Sequence, residues 1–173
     1  MKCRVKRHTV VQPLDQSYRL IPLTQGKSCI VDAEDFKWLS AYNWCASKGN
    51  NGRFYAVRKC KKKTTCMHRQ ILGCKPDEQA DHRNNDGLDN RRINLRKCTH
   101  AENERNRGKT QRNSSGFKGV HWFRPTRQWR AAIQSDGKMQ HIGLFKKVED
   151  AARAYDKKAR ELHGSFAHTN FPN

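Results

Sequence analysis

Residues 80 to 106, ADHRNNDGLDNRRINLRKCTHAENERN, open with an Asp81-His82 pair and follow it with a crowd of asparagines that includes Asn84, Asn85, Asn90, Asn94 and Asn103. Asparagine is a poor core residue and a poor helix former, so each of these needs a local task. Thr99 and Glu102 have the spacing of a T-x-x-E capping box, which predicts a helix starting near His100 with Asn103 in its first turns. If the preceding chain folds back as a hairpin or extended loop, Asp81 and Asn103 face each other across a gap the size of one hydrated cation. One carboxylate and one amide oxygen suit magnesium or manganese, which keep several waters and take further oxygens from a phosphate. His82 then lies on the opposite side of an extended strand from Asp81. With an unshifted pKa close to working pH, it suits a general base acting on water. The chemistry implied is phosphodiester hydrolysis by one divalent ion and one base.

The stretch DHRNNDGLDNRRINLR followed by CTHAENERNR resembles the signature of the HNH (ββα-metal) endonucleases, specifically the phage and intron-homing type. That resemblance implies Asp81 and Asn103 as metal ligands and His82 as the general base. It makes Asn94 the fourth residue of the catalytic site, its amide tying the loop to the hairpin. It also implies that Arg69, in the MHR stretch at 67–69, approaches the scissile phosphate. The acidic-Gly-Asn that usually follows Asp-His is replaced by NNDG. His68 fits either a core or a surface position, and His100 reads as a phosphate contact or a solvated side chain.

The rest of the chain is built for a polyanion. In 173 residues there are 36 Lys and Arg against 16 Asp and Glu, a formal charge of +20. The charge comes in runs such as RKCKKK and RRINLRK, and from Arg105 to Arg130 there are eight basic residues and no acid. Hydrophobic residues make up only 35%, which favours two small cores over one large one. No segment approaches the ~20 apolar residues of a membrane span, and MKCRVKRHTVVQ lacks the apolar run of a signal peptide. The expectation is a soluble protein of the cytoplasm of a bacterial or phage-infected cell, not secreted and without a membrane partner. Seven cysteines without a C-x-x-C pair read as reduced packing thiols, with no structural zinc expected.

Elements able to carry the site precede it. Strand-like runs occupy 18–23, 28–32 and 53–60; between the first two and the third, AEDFKWLSAY places Phe36, Leu39 and Tyr42 at helical spacing behind Asp32 as N-cap. Trp38 and Trp44 are candidate core, residues 48–53 read as a hairpin turn, and 67–73 as a helical turn ending at Gly73.

After a polar stretch, GKTQRNSSG, come three alternating segments, GFKGVHWF, QWRAAIQS and KMQHIGLF, with Asp136-Gly137 as the turn between the last two. They predict a three-stranded antiparallel sheet. Val148, Ala151, Ala152, Tyr155, Ala159 and Leu162 form one helical stripe ending at Gly164, so the helix covers one face and leaves the other for a ligand. Residues 115–172 resemble the ethylene-response-factor (Apetala-type) DNA-binding domain of plants, whose sheet lies in the major groove, through SGFKGVHWF, QWRAAI, HIGLF, EDAARAYDKKARELHG and NFP. The resemblance implies that Lys118, His121, Arg130, Gln134, Met139 and His141 lie on or near the DNA-facing surface, and Arg124 and Arg127 in the first turn fit phosphate contacts. Several arginines and tryptophans that read bases in the plant domains are replaced here by His121, Gln134, Met139 and His141.

The fold expected is therefore α+β: a ββα-metal HNH domain over 1–107, a linker over 108–115, and over 116–173 a three-stranded antiparallel sheet packed on one helix. The function expected is a homing-type, metal-dependent endonuclease on double-stranded DNA, using one magnesium or manganese ion per active site. As a monomer or weak dimer it would nick near a site read by the C-terminal domain. Two alternatives stand beside it: a non-cleaving DNA-binding regulator with a vestigial nuclease fold, and, less consistent with a major-groove sheet, RNA cleavage.

Overall fold

The computed structural model describes residues 7–49, 52–60, 63–110, 113–135 and 137–171, and the chain divides into two compact units, Met1–His100 and Ala101–Asn173.

In the first unit, β1 (Tyr18–Pro22) and β2 (Ser28–Asp32) pair antiparallel, and alternation along β2 sends Cys29 and Val31 into the core. Helix α1 (Ala33–Ser40) follows directly and turns Leu39 inward. β3 (Cys45–Lys48), β4 (Phe54–Cys60) and β5 (Lys63–Cys66) form a second antiparallel sheet in that order, and α2 (Met67–Ile71) buries Met67, His68 and Ile71. Trp44, Leu23, Leu39, Met67, Val31 and Cys29 are the fully buried centre of one apolar cluster. β6 (Gln79–His82) and β7 (Leu95–Cys98) make a short antiparallel hairpin whose long connection ends in a 3-10 turn at Arg92–Asn94.

Asp32 sits at the N-cap of α1 but makes no side-chain cap; its carboxylate accepts the Arg92 N–H at 2.7 Å instead. Asp35, buried in the first turn of α1, accepts Arg92 Nε and Nη2 at 2.8 Å each and Trp38 Nε1 at 2.9 Å. Asp32, expected as the cap of α1, and Asp35 thus clamp the 3-10 turn of the hairpin loop. Trp44 is core as expected, Trp38 packs at its edge, and Tyr42 lies past the helix end, 42% exposed. The turn at 48–53 is closed by Gly49 N–H to Arg53 O at 2.8 Å, while Asn50 and Asn51 within it lie outside the described residues.

In the second unit, α3 (His100–Arg105, beginning on the last residue of the first unit) leads into β8 (Val120–Phe123), β9 (Gln128–Ser135) and β10 (Lys138–Phe145), an antiparallel sheet of order β10-β9-β8. Helix α4 (Val148–His163) packs Ala151, Ala152, Tyr155 and Ala159 against Val120, Ala131 and Ile133. Val148 and Leu162 flank that contact, so the predicted stripe is the buried one. Gly119, at φ +74°, is needed where it stands: a Cβ there would come within 2.1 Å of the Tyr155 ring. Gly137 closes the β9–β10 turn at φ +76°, and Asp136 beside it lies outside the described residues. The division between units falls after His100, the first residue of α3, whereas the charge and composition of the sequence set the domain boundary after residue 107.

Candidate functional site

The register of the first-unit hairpin puts Asp81 opposite Arg96 and His82 opposite Leu95. Asp81 and Arg96 are both buried, and Arg96 donates from Nε at 2.9 Å and Nη2 at 2.7 Å to the same oxygen, Asp81 Oδ2. Such a pair fixes the carboxylate's direction, because breaking it would strand a charge away from water.

His82 is walled in by three elements. The Tyr55 ring from β4 stands 5.9 Å away, the His68 ring from α2 meets it edge-on at 4.7 Å, and Asn90 Oδ1 lies 3.4 Å from Nε2. If Nε2 carries the proton toward Asn90, Nδ1 keeps the lone pair, the form a base requires. Burial lowers the His82 pKa, against the opposing pull of the Asn90 hydrogen bond and of Asp81, Asp86 and Asp89. This corrects the expectation of an unshifted imidazole. His68 is core, not surface, and burial, helped by the nearby His82 and Arg69, takes its pKa down to about 3.

The loop between the strands is organised by its amides. Asn94 Oδ1 accepts the Asn84 N–H at 3.0 Å and Asn94 Nδ2 donates to Asp89 O at 2.8 Å, so its amide ties the loop to itself. Asn84 Nδ2 donates to Asp89 Oδ2, and Asn85, at φ +62°, accepts Arg53 Nη1 at 2.6 Å. The Ile30 N–H donates to Leu88 O and the Asn90 N–H to Ile30 O, each at 2.8 Å, so the loop clips onto the free edge of β2. Gly87 permits the close approach to β4, where a Cβ would lie 2.4 Å from Phe54 O and 2.5 Å from the Tyr55 ring. Asn84, Asn85, Asn90 and Asn94 thus hold one loop around His82 through bonds to backbone and to side chains. Asn103 lies in α3, on the second-unit side of the division.

Two basic residues expected at DNA bond to backbone carbonyls. Arg69 donates to the carbonyls of Lys75 (2.7 Å), Pro76 (3.4 Å) and Glu78, stapling the chain after α2. Lys118 is withdrawn from the sheet surface, its Nζ donating to Arg105 O at 2.6 Å, and burial lowers its pKa to about 8. Local cation spacing carries no record of carbonyls brought near by folding, so neither destination was readable.

In the second unit the side chains opposite α4 follow from the register. His121 pairs with Arg130, Arg130 with Leu144, Ala132 with His141, and Gln134 with Met139, all on the uncovered face. His121, Gln134, Met139 and His141 are exposed, and the Arg130 guanidinium lies over the Phe123 ring at 5.9 Å from its centroid. Partial burial, then the Arg130 and His141 charges, lower the His121 pKa. Arg124 and Arg127 are exposed in the β8–β9 turn, Arg127 at φ +51°. Strands β8, β9 and β10 contain no carboxylate. Among the described residues no group of three or more His, Cys, Asp or Glu is arranged to hold a metal, and no helix is long and apolar enough to cross a membrane.

No protein-family model matches the chain. It is 37% identical over 83 residues to Protein 3.8 of Escherichia phage T7, covering 48% of this chain and 64% of that protein. It is 45% identical over 65 residues to the ethylene-responsive transcription factor ERF084 of Arabidopsis thaliana, covering 36% of this chain and 25% of that one. It is 47% identical over 58 residues to ethylene-responsive transcription factor 3 of Nicotiana tabacum, covering 32% and 25%. The chain therefore spans less than two thirds of each relative, and its C-terminal region is ethylene-response-factor-like.

Proposed function

We propose that this chain is a DNA-binding protein that lays the uncovered face of β8–β10 on double-stranded DNA. The observation carrying this reading is a carboxylate-free sheet face with Arg130, His121, Gln134 and His141 pointing outward from a chain of net charge +20. A sheet of this width fits the major groove, and the plant relatives are transcription factors by name. These relatives favour a regulator that binds without cutting.

A second reading, metal-dependent DNA hydrolysis, is favoured by one specific arrangement. A buried, neutral-leaning His82 follows Asp81 on a hairpin strand, with Asn94 tying the loop and α3 next in the chain. Here Asp81 would supply the carboxylate oxygen for a magnesium or manganese ion; hard oxygen donors suit both ions. The ion would stabilise charge on the phosphate, His82 would take the proton of the attacking water, and Arg96 would keep Asp81 aimed.

Incubating the full chain with supercoiled plasmid and magnesium, with and without chelator, separates the readings. Retardation without nicking supports the regulator. Chelator-sensitive nicking that His82→Ala abolishes, with DNA affinity kept within a few-fold, supports the hydrolase. Failure to retard duplex DNA at low salt would remove both.

A further inference from the structure

On the uncovered sheet face the exposed groups differ row by row. Gln134 and Met139 are direct cross-strand partners near the β9–β10 turn, so their side chains rise side by side, with Cβ atoms about 5 Å apart. Met139, a large apolar side chain, is 64% exposed. The Gln134 amide is exposed and makes no hydrogen bond among the described residues. The neighbouring row is Ala132 with His141, the next His121, Arg130 and Leu144, and none of these is acidic.

We propose that the Gln134–Met139 row selects an adenine–thymine base pair in the major groove, which rests on the DNA-binding reading above and adds the sequence class it takes. A glutamine amide presents one acceptor and one donor side by side. That matches the exposed edge of adenine, whose N6 amino group donates and whose N7 accepts. The same base pair carries the thymine methyl, the one apolar group on the groove floor, and Met139 supplies an apolar partner beside the amide. A guanine presents two acceptors, so the Gln134 Oε1 would face O6 or N7 with no proton between them. A cytosine has no methyl for Met139. Arginine is the side chain whose fork fits the two guanine acceptors, and on this face Arg130 alone has it, two rows away with its Nε buried. Gln134 and Met139 therefore set the preference at their own position and leave Arg130 to another.

The test selects, with the full chain, from a duplex library randomised at its centre, and repeats the selection with Gln134→Arg and Met139→Ala. Both residues are exposed, and matching thermal melts verify that the variants fold. The expected result is a site containing a required adenine–thymine pair. Gln134→Arg should convert that one position to guanine, Met139→Ala should loosen it, and replacing the pair by guanine–cytosine should weaken parent binding roughly five- to a hundredfold. A selected site that neither variant alters, or one with guanine already at the position Gln134→Arg affects, overturns the inference while leaving DNA binding intact. Absence of any enriched duplex overturns both.

Discussion

Arg96 is the residue on which the hairpin site depends most. Its guanidinium and the Asp81 carboxylate each keep 7% of their surface exposed, and both nitrogens that reach the acid converge on one oxygen. Arg96→Leu would remove the guanidinium paired with a buried carboxylate and should lower unfolding stability by roughly 3–5 kcal/mol, read by urea titration. The double variant Asp81→Leu with Arg96→Leu removes both charges and should recover most of that loss. If the single variant is as stable as the parent, the ion pair does not hold Asp81 in solution. This partner was illegible in the sequence because Asp81 and Arg96 meet only through the register of β6 on β7. Asn94 was legible because its task is local: both of its amide bonds reach residues within one loop.

At the scale of elements, Lys118 marks where the chain leaving α3 is fastened. Its ammonium holds the Arg105 carbonyl, the last residue of α3, and its burial lowers the pKa from 10.5 to about 8. Between these values the unfolded chain binds a proton that the folded chain has released, so stability should rise with pH from about 8 to 10.5. Below pH 8 both states are protonated and the desolvation penalty is fully present. Replacing Lys118 with Met should flatten that rise, measured as the difference between parent and variant melting temperatures across this window; an identical pH profile would mean that Lys118 is solvated. Elements with strong periodicity were readable, as the three strands of the second unit and the stripe on α4 attest. β3 and β5 were not, since CASK and KTTC are four-residue strands with little apolar pattern, stabilised by pairing with β4. The β6–β7 hairpin appeared only as a fold-back that the chemistry required, its strands QADH and LRKC being too short and polar to announce themselves. Asp32 likewise has the sequence position of a cap, yet a backbone N–H 60 residues away takes its carboxylate.

For the whole molecule, charge and modularity make a joint prediction. The second unit begins at Ala101, and a fragment from there to Asn173 retains both the Lys118–Arg105 bond and the α4-covered sheet. A fragment starting at Asn113 loses the acceptor of Lys118, so its melting temperature should be lower by several degrees, about 4–8 °C for each kcal/mol lost in a domain of this size. Both fragments should retard duplex DNA, the longer at lower concentration because it also carries Arg105, Arg107, Lys109 and Arg112. With a net charge of +20, the full chain should bind more tightly than either at low salt and lose affinity more steeply as salt rises. The loss should be about a thousandfold between 50 and 200 mM if six or more phosphates are neutralised, since each phosphate contact releases a condensed counterion. The slope of log affinity against log salt, measured by fluorescence anisotropy on one duplex for all three proteins, reports how many contacts each makes. Equal slopes for the full chain and the Ala101 fragment would mean that residues 1–100 make no phosphate contacts. That outcome would weigh against a hydrolytic site at Asp81 and His82, because no phosphodiester could then reach the base.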